Sequence, residues 1–298
     1  MIKNKLQGMI CPMITPLGDR EQIDEAAVRH LVCRLVDRGA DGIFLLGSMG
    51  EFPVIEEEER RRLIEIAVDE AKGKIPVMAN VSAEGLRKTE RNLRGALDAG
   101  ADAVVLVAPY FYTLRNEREL RDYFLEVSRN SSKPLIMYNI PKYTNNPLSV
   151  PLIAELSEES NIIGIKTDIF IDVTLMRRLA GRHDFSVLHG NEATLDLALK
   201  LGADGYVPGI STLAIDRCVE LLRRWRQGDA AGAALLQTEL IAVQRTVYGD
   251  NAEHWGTGHK YALSLLGLCQ THVATTLPPL SERQKEVIAS ALRQYRIA

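Results

Sequence analysis

The chain has 298 residues, of which 46% are hydrophobic and 25% are charged, so it can bury a substantial core. Its net charge of -3 gives no electrostatic basis for binding nucleic acid or an anionic membrane surface. No apolar stretch approaches the roughly 20 residues that a membrane-spanning helix requires, and the amino terminus lacks the apolar run of a secretory signal. We therefore expect a globular, cytoplasmic protein.

Strand and helix patterns alternate along the first 228 residues. Short apolar runs predict strands at residues 9–14, 43–46, 75–80, 103–107, 134–138, 162–166, 185–188 and 204–207. Helical periodicity predicts helices at residues 24–38, 56–72, 87–99, 117–130, 149–157, 171–180, 192–201 and 213–227. Eight strand–helix repeats predict an α/β fold, a closed (β/α)8 TIM barrel. An open doubly wound sheet is the alternative, but no GxGxxG follows the first strand.

One short phrase, Gly-Ala-Asp, recurs at three predicted helix-to-strand joints. Its glycine stands where a helix ends in the left-handed conformation, at Gly39, Gly100 and Gly202. After about residue 228 the alternation stops, and helical patterns follow near residues 230–248, 258–268 and 281–295. We expect residues 1–228 to form the barrel with the active site. Residues 229–298 are expected to form a C-terminal helical extension packed on it.

A run of charge, four glutamates and three arginines, occupies residues 56–62. Acidic side chains in a first helical turn complement the helix dipole, and bases that follow can form i,i+4 pairs. We interpret the run as a solvated helix face rather than a binding site.

The cysteines and histidines give no metal signature. The cysteines lie far apart and form no CxxC pair, at Cys11, Cys33, Cys218 and Cys269. No HExxH motif is present, and His254 and His259 are wrongly spaced to share a zinc-binding helix face. Reduced thiols in the cytoplasm are the simplest interpretation, and neither a metal nor another cofactor is expected.

Lys166 ends an apolar run that is typical of a strand buried on both faces. Burial disfavours the charged ammonium, so it is expected to lower the pKa of Lys166 and to favour the nucleophilic neutral amine. In TIM barrels the active site lies at the C-terminal ends of the strands, which makes Lys166 a candidate nucleophile. The alternative is a lysine that marks the strand end and extends its ammonium into solvent.

Tyr138 ends the preceding predicted strand. Neighbouring strands lie about 4.8 Å apart, so its phenol can approach Lys166. A phenol both donates and accepts hydrogen bonds and can therefore relay protons to an amine. A neutral lysine can attack a ketone, and the resulting protonated Schiff base withdraws electrons from the adjacent carbon. This chemistry makes or breaks carbon–carbon bonds beside a 2-oxo acid. The alternative for Tyr138 is a core tyrosine with one hydrogen bond.

The second predicted strand ends in Gly47-Ser48-Met49-Gly50. This glycine-flanked turn offers a hydroxyl and backbone N–H groups, which can cradle a carboxylate. The pattern GxxxxGK[ST] is absent, so a nucleotide-binding P-loop is excluded.

Four segments together carry a resemblance to a known family: Gly47-Ser48-Met49-Gly50-Glu51, Pro109-Tyr110-Phe111, Tyr138-Asn139-Ile140-Pro141 and Gly164-Ile165-Lys166. In order and spacing they resemble the dihydrodipicolinate synthase / N-acetylneuraminate lyase family, and the resemblance covers nearly the whole chain. It implies that Lys166 forms the Schiff base and that Tyr138 shuttles protons. It also implies a substrate-binding set of Gly47, Ser48, Met49, Gly190, Glu192 and Val207.

Three features depart from the synthases of this family, according to the resemblance. Ser48 and Met49 stand where the synthases have two threonines. Tyr143 stands where they have an arginine for a second carboxylate, and Phe111 where they have a tyrosine donated across the dimer interface. Gly-Ser followed by Gly-Glu-Phe is more similar to the branch that acts on 2-keto-3-deoxy sugar acids.

The resemblance therefore implies a class I pyruvate-type aldolase, a carbon–carbon lyase that cleaves or forms a 2-keto-3-deoxy sugar acid. Its partners would be a 2-oxo acid and an aldehyde, and family members are commonly homotetramers built as dimers of dimers. A sugar-acid dehydratase, a 4-hydroxy-tetrahydrodipicolinate synthase and a non-catalytic barrel that binds a 2-oxo acid remain alternatives. A metal-dependent aldolase is disfavoured by the scattered histidines.

Overall fold

Eight parallel strands close into a barrel in sequence order, as the alternating pattern predicts. The computed structural model describes residues 5–169, 177 and 184–297. The strands are β1 (Gly8–Pro12), β2 (Gly42–Leu45), β3 (Val77–Asn80), β4 (Ala103–Val107), β5 (Leu135–Asn139), β6 (Ile162–Thr167), β7 (Ser186–His189) and β8 (Gly205–Tyr206). The fold is a (β/α)8 TIM barrel, and the prediction of this fold class is confirmed.

The helices cover the outside of the barrel and form the C-terminal part of the chain. They are α1 (Glu25–Asp37), α2 (Glu57–Ala71), α3 (Leu86–Asp98), α4 (Glu117–Arg129), α5 (Pro141–Thr144), α6 (Val150–Ser157), α7 (Leu195–Lys200), α8 (Ser211–Arg226), α9 (Ala230–Tyr248), α10 (Trp255–Leu265) and α11 (Glu282–Gln294), with a 3-10 turn at Glu192–Thr194. The helix predicted at 171–180 lies outside the described residues apart from Arg177. Helix α5 was not predicted; Pro141 occupies its first turn.

The recurring Gly-Ala-Asp phrase has a common structural role at its three joints. Each glycine has a positive φ, of 84°, 87° and 91° in chain order, which glycine adopts without a steric penalty. Each aspartate carboxylate accepts the backbone N–H of a residue on a neighbouring strand, in the pairs Asp41–Met9, Asp102–Val77 and Asp204–Val187. The phrase therefore ends a helix and fixes the start of the adjacent strand.

The charged run at residues 56–62 forms a solvated face with one exception. Arg61 pairs with Glu65 one turn later, although this glutamate follows the base and lies outside the run. Arg60 instead is buried, and its guanidinium donates to the Phe52 carbonyl at 2.6 Å and to the Asn80 carbonyl at 2.7 Å. Burial lowers the pKa of Arg60 to about 10. The solvated-face interpretation was thus wrong for Arg60, which ties the loop after β2 to the end of β3.

The C-terminal helices pack on the barrel around α9. Helix α9 contacts α7, α8 and the 3-10 turn, while α10 and α11 pack against α9. This arrangement brings α9 and α10 close to the loops that follow β2 and β7. The division of the chain at residue 228 stays a prediction. Within the described residues, no helix combines the length and the hydropathy needed to cross a bilayer.

Candidate active site

Two adjoining cavities lie at the C-terminal ends of the strands. The inner cavity has a volume of about 130 Å³ and contains the side chains of Lys166 and Asp168 in its wall. The outer cavity, of about 670 Å³, reaches the C-terminal helices. Both cavities share a lining that includes Ser48, Tyr138 and Glu192, so they form one continuous cleft.

Lys166 lies on β6 directly beside Tyr138 of β5 in the strand register. The lysine is only 6% exposed, so the alternative of a side chain extended into solvent is wrong. Its Nζ lies 3.7 Å from the centroid of the Tyr138 ring, close enough for a cation–π contact. Nζ also donates to Asp168 Oδ1 at 2.9 Å. The amine therefore faces the inner cavity with an aromatic ring on one side and a carboxylate on another.

The pKa of Lys166 lies above its ordinary value, which contradicts the expectation that burial would lower it. Burial does favour the neutral amine, but the Asp168 carboxylate and the Tyr138 side chain together outweigh this effect. An opposite charge at this distance stabilises the ammonium. The expected lowering of the pKa was wrong because Asp168 lies beside the amine, and the raised pKa keeps Lys166 an ammonium at neutral pH in the unliganded protein.

Tyr138 is 2% exposed, and its pKa is raised to about 12. Burial is the main cause and the negative charge of Asp168 adds to it, whereas Lys166 and Ser48 oppose the rise. Its ring also packs edge to face on Phe44, with centroids 6.0 Å apart. The phenol is therefore protonated at neutral pH and stands between the amine and the Ser48 turn.

The loop after β2 holds Ser48 and Met49 at the wall of the cleft. Two of its residues, Leu46 and Glu51, have left-handed backbone at φ 58° and 56°, a conformation that costs free energy for residues with a side chain. Thr15 Oγ1 donates to the Gly50 carbonyl at 2.6 Å. Gly47 is absent from the lining of either cavity, and an added Cβ there would lie 2.9 Å from the Phe44 ring.

Glu192, Gly190 and Val207 line the inner cavity on the side of β7 and β8. The Glu192 carboxylate accepts the backbone N–H of Ile210 and the side-chain amide of Gln244. Burial raises the pKa of Glu192 to about 7, and the bond from Ile210 opposes the rise. This carboxyl therefore titrates near neutral pH, where it can both donate and accept a hydrogen bond.

The cleft also contains residues that the sequence reasoning missed. Asp168 is the most important, and strand alternation could have found it, because a residue two positions after Lys166 points to the same side. The outer cavity takes further lining from the C-terminal helices and their loop, at Gln244, Tyr248, Asn251 and Trp255. No short-range motif marks these positions, since they converge only through the packing of α9 and α10.

The residues that differ from the synthases of the resembled family lie in different parts of the structure. Tyr143 lines both cavities beside Lys142, and the Lys142 ammonium lies 5.2 Å from its ring centroid. Phe111 is 71% exposed and packs edge to face on Tyr112, away from both cavities of the cleft. In the described part of the chain, no group of three or more His, Cys, Asp or Glu residues is arranged to hold a metal ion.

A buried lysine beside a tyrosine at adjacent strand ends of a TIM barrel is an arrangement suited to the Schiff-base chemistry of carbon–carbon lyases. The model of the dihydrodipicolinate synthetase family matches residues 5–295. The chain belongs to this family.

Relatives with two different names align with almost the whole chain. The 4-hydroxy-tetrahydrodipicolinate synthase of Gluconacetobacter diazotrophicus is 32% identical over 289 residues, covering 96% of both chains. YagE of Escherichia coli K12, provisionally named a 2-dehydro-3-deoxy-D-gluconate aldolase, is 32% identical over 297 residues, covering 97% of both chains. The crystal structure of YagE in complex with pyruvate has a TM-score of 0.89, covering 98% of this chain and 99% of YagE. A dihydrodipicolinate synthase from Aquifex aeolicus has a TM-score of 0.90 at 28% identity, with 98% and 99% coverage.

Proposed function

We propose that Lys166 forms a Schiff base with the ketone of a 2-oxo acid and that the chain cleaves or forms a 2-keto-3-deoxy sugar acid. The observation that carries this proposal is the buried Lys166 amine on the wall of the inner cavity, 3.7 Å from the Tyr138 ring. The 32% identity to YagE, with its provisional aldolase name, and the pyruvate complex of YagE support it further.

The chemistry begins with transfer of a proton from the Lys166 ammonium to the Asp168 carboxylate that accepts from it, because only the neutral amine is nucleophilic. Its nitrogen attacks the ketone carbon, and loss of water leaves a protonated Schiff base. In the cleavage direction the C4 hydroxyl loses its proton and the C3–C4 bond breaks. The electron pair of that bond moves to the iminium, the aldehyde leaves and an enamine remains. Protonation of the enamine and hydrolysis then release pyruvate, with Tyr138 as the proposed proton carrier.

The remaining substrate-binding roles follow from the proposed orientation of the 2-oxo acid. Ser48 and the backbone at Met49 would hold its carboxylate, with the Val207 main chain beside it. Gly47 would shape this turn without lining the cleft. Gly190 and Glu192 would face the distal carbons, where the Glu192 carboxyl can bond to sugar hydroxyls.

A second candidate is 4-hydroxy-tetrahydrodipicolinate synthase, because relatives with this name are as similar to the chain as YagE is. The synthase reaction needs a group for a second carboxylate, and Tyr143 lines the cleft where the resemblance implies an arginine. Lys142 supplies a positive charge nearby but lacks the two-pronged geometry of a guanidinium. We therefore rank the sugar-acid aldolase first. A dehydratase with the same Schiff base is separated from it by product analysis, since only the aldolase releases pyruvate.

The test is reduction with borohydride in the presence of pyruvate, followed by peptide mass mapping and an assay of 2-keto-3-deoxy acids for pyruvate release. We expect a reduced adduct on Lys166 and none in Lys166→Met. Lys142→Met is the matched control, because it removes another lysine of the same cleft, and its adduct should persist. An enzyme that condenses pyruvate with aspartate semialdehyde but releases no pyruvate from any sugar acid would favour the synthase.

The proposal also covers the oligomeric state of the protein and its cellular compartment. A homotetramer built as a dimer of dimers is proposed from the family resemblance, and analytical ultracentrifugation tests it. A cytoplasmic location is likewise proposed from the sequence.

A further inference from the structure

Asp168 is an acidic residue in the inner cavity beside the proposed Schiff-base lysine. It follows β6 directly, and its Oδ1 accepts from Lys166 Nζ at 2.9 Å. The side chain remains 36% exposed towards the cleft. A Cβ added at Gly190 would lie 2.1 Å from this oxygen and 2.6 Å from Nζ. The bare backbone of Gly190 therefore leaves the space in which this ion pair sits.

The position of Asp168 relative to the Ser48 turn fixes which part of a substrate it would meet. The turn follows β2, whereas Asp168 follows β6, and these strands are on opposite sides of an eight-stranded barrel. Both sides line the inner cavity that the Lys166 amine faces. Suppose that the carboxylate of a 2-oxo acid occupies the turn and that its ketone carbon bonds to Nζ. Its distal carbons then extend towards Asp168 and Gly190.

Among the described residues, the charges that face this side of the cavity include no buried cation for a second carboxylate. Asp168 already neutralises Lys166, and the Schiff-base nitrogen would keep at most the same single positive charge. Glu192 adds further negative charge as it ionises near pH 7. His189, on β7, has its pKa lowered to about 4 by burial and is neutral. In the part of the lining that the structure describes, Lys142 is the remaining cation, and its side chain is exposed.

We propose that Asp168 is a specificity-determining residue: its carboxylate excludes a second negative charge from the distal side of the cavity and accepts hydrogen bonds from uncharged hydroxylated chains. This inference deepens the proposed function and rests on it. Like charges brought together disfavour binding, whereas a hydroxyl donating to a carboxylate forms a charge-assisted hydrogen bond. A monocarboxylic sugar acid meets both requirements, and a dicarboxylic 2-oxo acid does not.

The test compares two 2-oxo acids of equal carbon-chain length, 2-oxopentanoate and 2-oxoglutarate, of which only the second carries a distal carboxylate. Each is titrated in borohydride trapping at Lys166, and the ratio of their half-saturating concentrations is measured. The wild type should half-saturate at a lower concentration of 2-oxopentanoate than of 2-oxoglutarate. Asp168→Asn should reduce this preference for 2-oxopentanoate roughly tenfold or more. Using a ratio cancels any general loss of reactivity caused by the substitution.

Asp168→Ser repeats the test with a smaller neutral side chain, in case the amide of Asn packs poorly. Asp98→Asn is the matched control, because it makes the same change in net charge at the exposed C-terminal end of α3; its ratio should equal that of the wild type. Lys142→Met should widen the preference for 2-oxopentanoate or leave it unchanged.

The experiment distinguishes a failure of the specificity role of Asp168 from a failure of the proposed function. If pyruvate forms an adduct on Lys166 but neither Asp168 variant changes the ratio by more than about twofold, the specificity role is overturned while the proposed function stands. If pyruvate forms no adduct on Lys166 in the wild type, both proposals are overturned. A ratio that changes equally in Asp98→Asn would also refute the inference, because net charge rather than the local carboxylate would then be responsible.

Discussion

The buried ion pair between Glu51 and Lys260 gives the sharpest stability prediction. Lys260 Nζ lies 2.7 Å from Glu51 Oε1, and the two side chains are 1% and 0% exposed. The other Glu51 oxygen accepts from the backbone N–H and the hydroxyl of Thr275, at 2.7 and 2.8 Å. Lys260 also donates to the His272 carbonyl at 2.6 Å. The pair therefore links the loop after β2, which contains two residues with left-handed backbone, to the C-terminal part of the chain.

The expected loss in the free energy of unfolding depends on the unpaired charged group that each substitution leaves buried. Lys260→Met keeps the side-chain length but leaves the Glu51 carboxylate buried without a cation, and Glu51→Gln leaves the Lys260 ammonium without an anion. Removing one partner of a buried pair costs about 3–5 kcal/mol. Burial lowers the pKa of Lys260, and Glu51 opposes this, so Glu51→Gln should lower that pKa further. The double variant should cost clearly less than the sum of the single variants.

The assay is urea unfolding followed by circular dichroism and tryptophan fluorescence, with thermal unfolding as a second measurement. At roughly 2 °C per kcal/mol for a chain of this size, each single variant should lose about 6–10 °C in Tm. Because the loop carries Ser48 and Met49, the pyruvate concentration that half-saturates adduct formation should also rise in both variants.

The matched control is the surface pair Lys285–Glu282, whose nitrogen–oxygen distance of 2.8 Å is similar but whose side chains are 37% and 84% exposed. Lys285→Met should change the free energy of unfolding by less than about 0.5 kcal/mol. If Lys260→Met also stays within 1 kcal/mol of the wild type, or if the single effects simply add, the reasoning about this pair is refuted.

Three further predictions concern the cleft. Asp168→Asn removes the main charge that raises the pKa of Lys166, so pyruvate trapping should extend to lower pH; an unchanged pH profile would contradict this. Tyr138→Phe keeps the ring beside the amine but loses the hydroxyl, so turnover should fall about 10²–10⁴-fold while an adduct still forms, and full turnover would disprove the proton-carrier role. Because burial raises the pKa of Glu192 to about 7, its stabilising contribution is complete below about pH 4.5 and is lost as the pH rises through 7. Glu192→Gln should therefore lose less Tm than the wild type between pH 5 and pH 8, and parallel Tm curves would refute this.

The fold was predictable because its signals are local and repeated. Apolar runs of strand length, helical periodicity and three Gly-Ala-Asp joints all indicate the same alternating pattern, and every described strand lies at a predicted position. That β5 and β6 are neighbours follows from this order, but the register that places Tyr138 beside Lys166 does not, because it shifts by one residue between Leu135 and Ile136. Helix α5 was missed because a four-residue helix contains too few residues to show a period.

The electrostatics of the cleft were less predictable than its residues. The protonation of Lys166 depends on the balance between burial and a carboxylate 2.9 Å away, and composition cannot give that distance. Arg60 is similar: its place in a charged run predicts solvent, yet two carbonyl acceptors let its guanidinium be buried. The residues that α9 and α10 contribute to the outer cavity depend on long-range packing, which no short motif encodes.

The most direct measurement of the central claim is peptide mass mapping after borohydride reduction with pyruvate. A reduced pyruvate adduct on the peptide that contains Lys166, lost in Lys166→Met and kept in Lys142→Met, is the predicted result. An adduct on a different lysine, or the absence of any adduct while the protein still cleaves a sugar acid, would contradict the account.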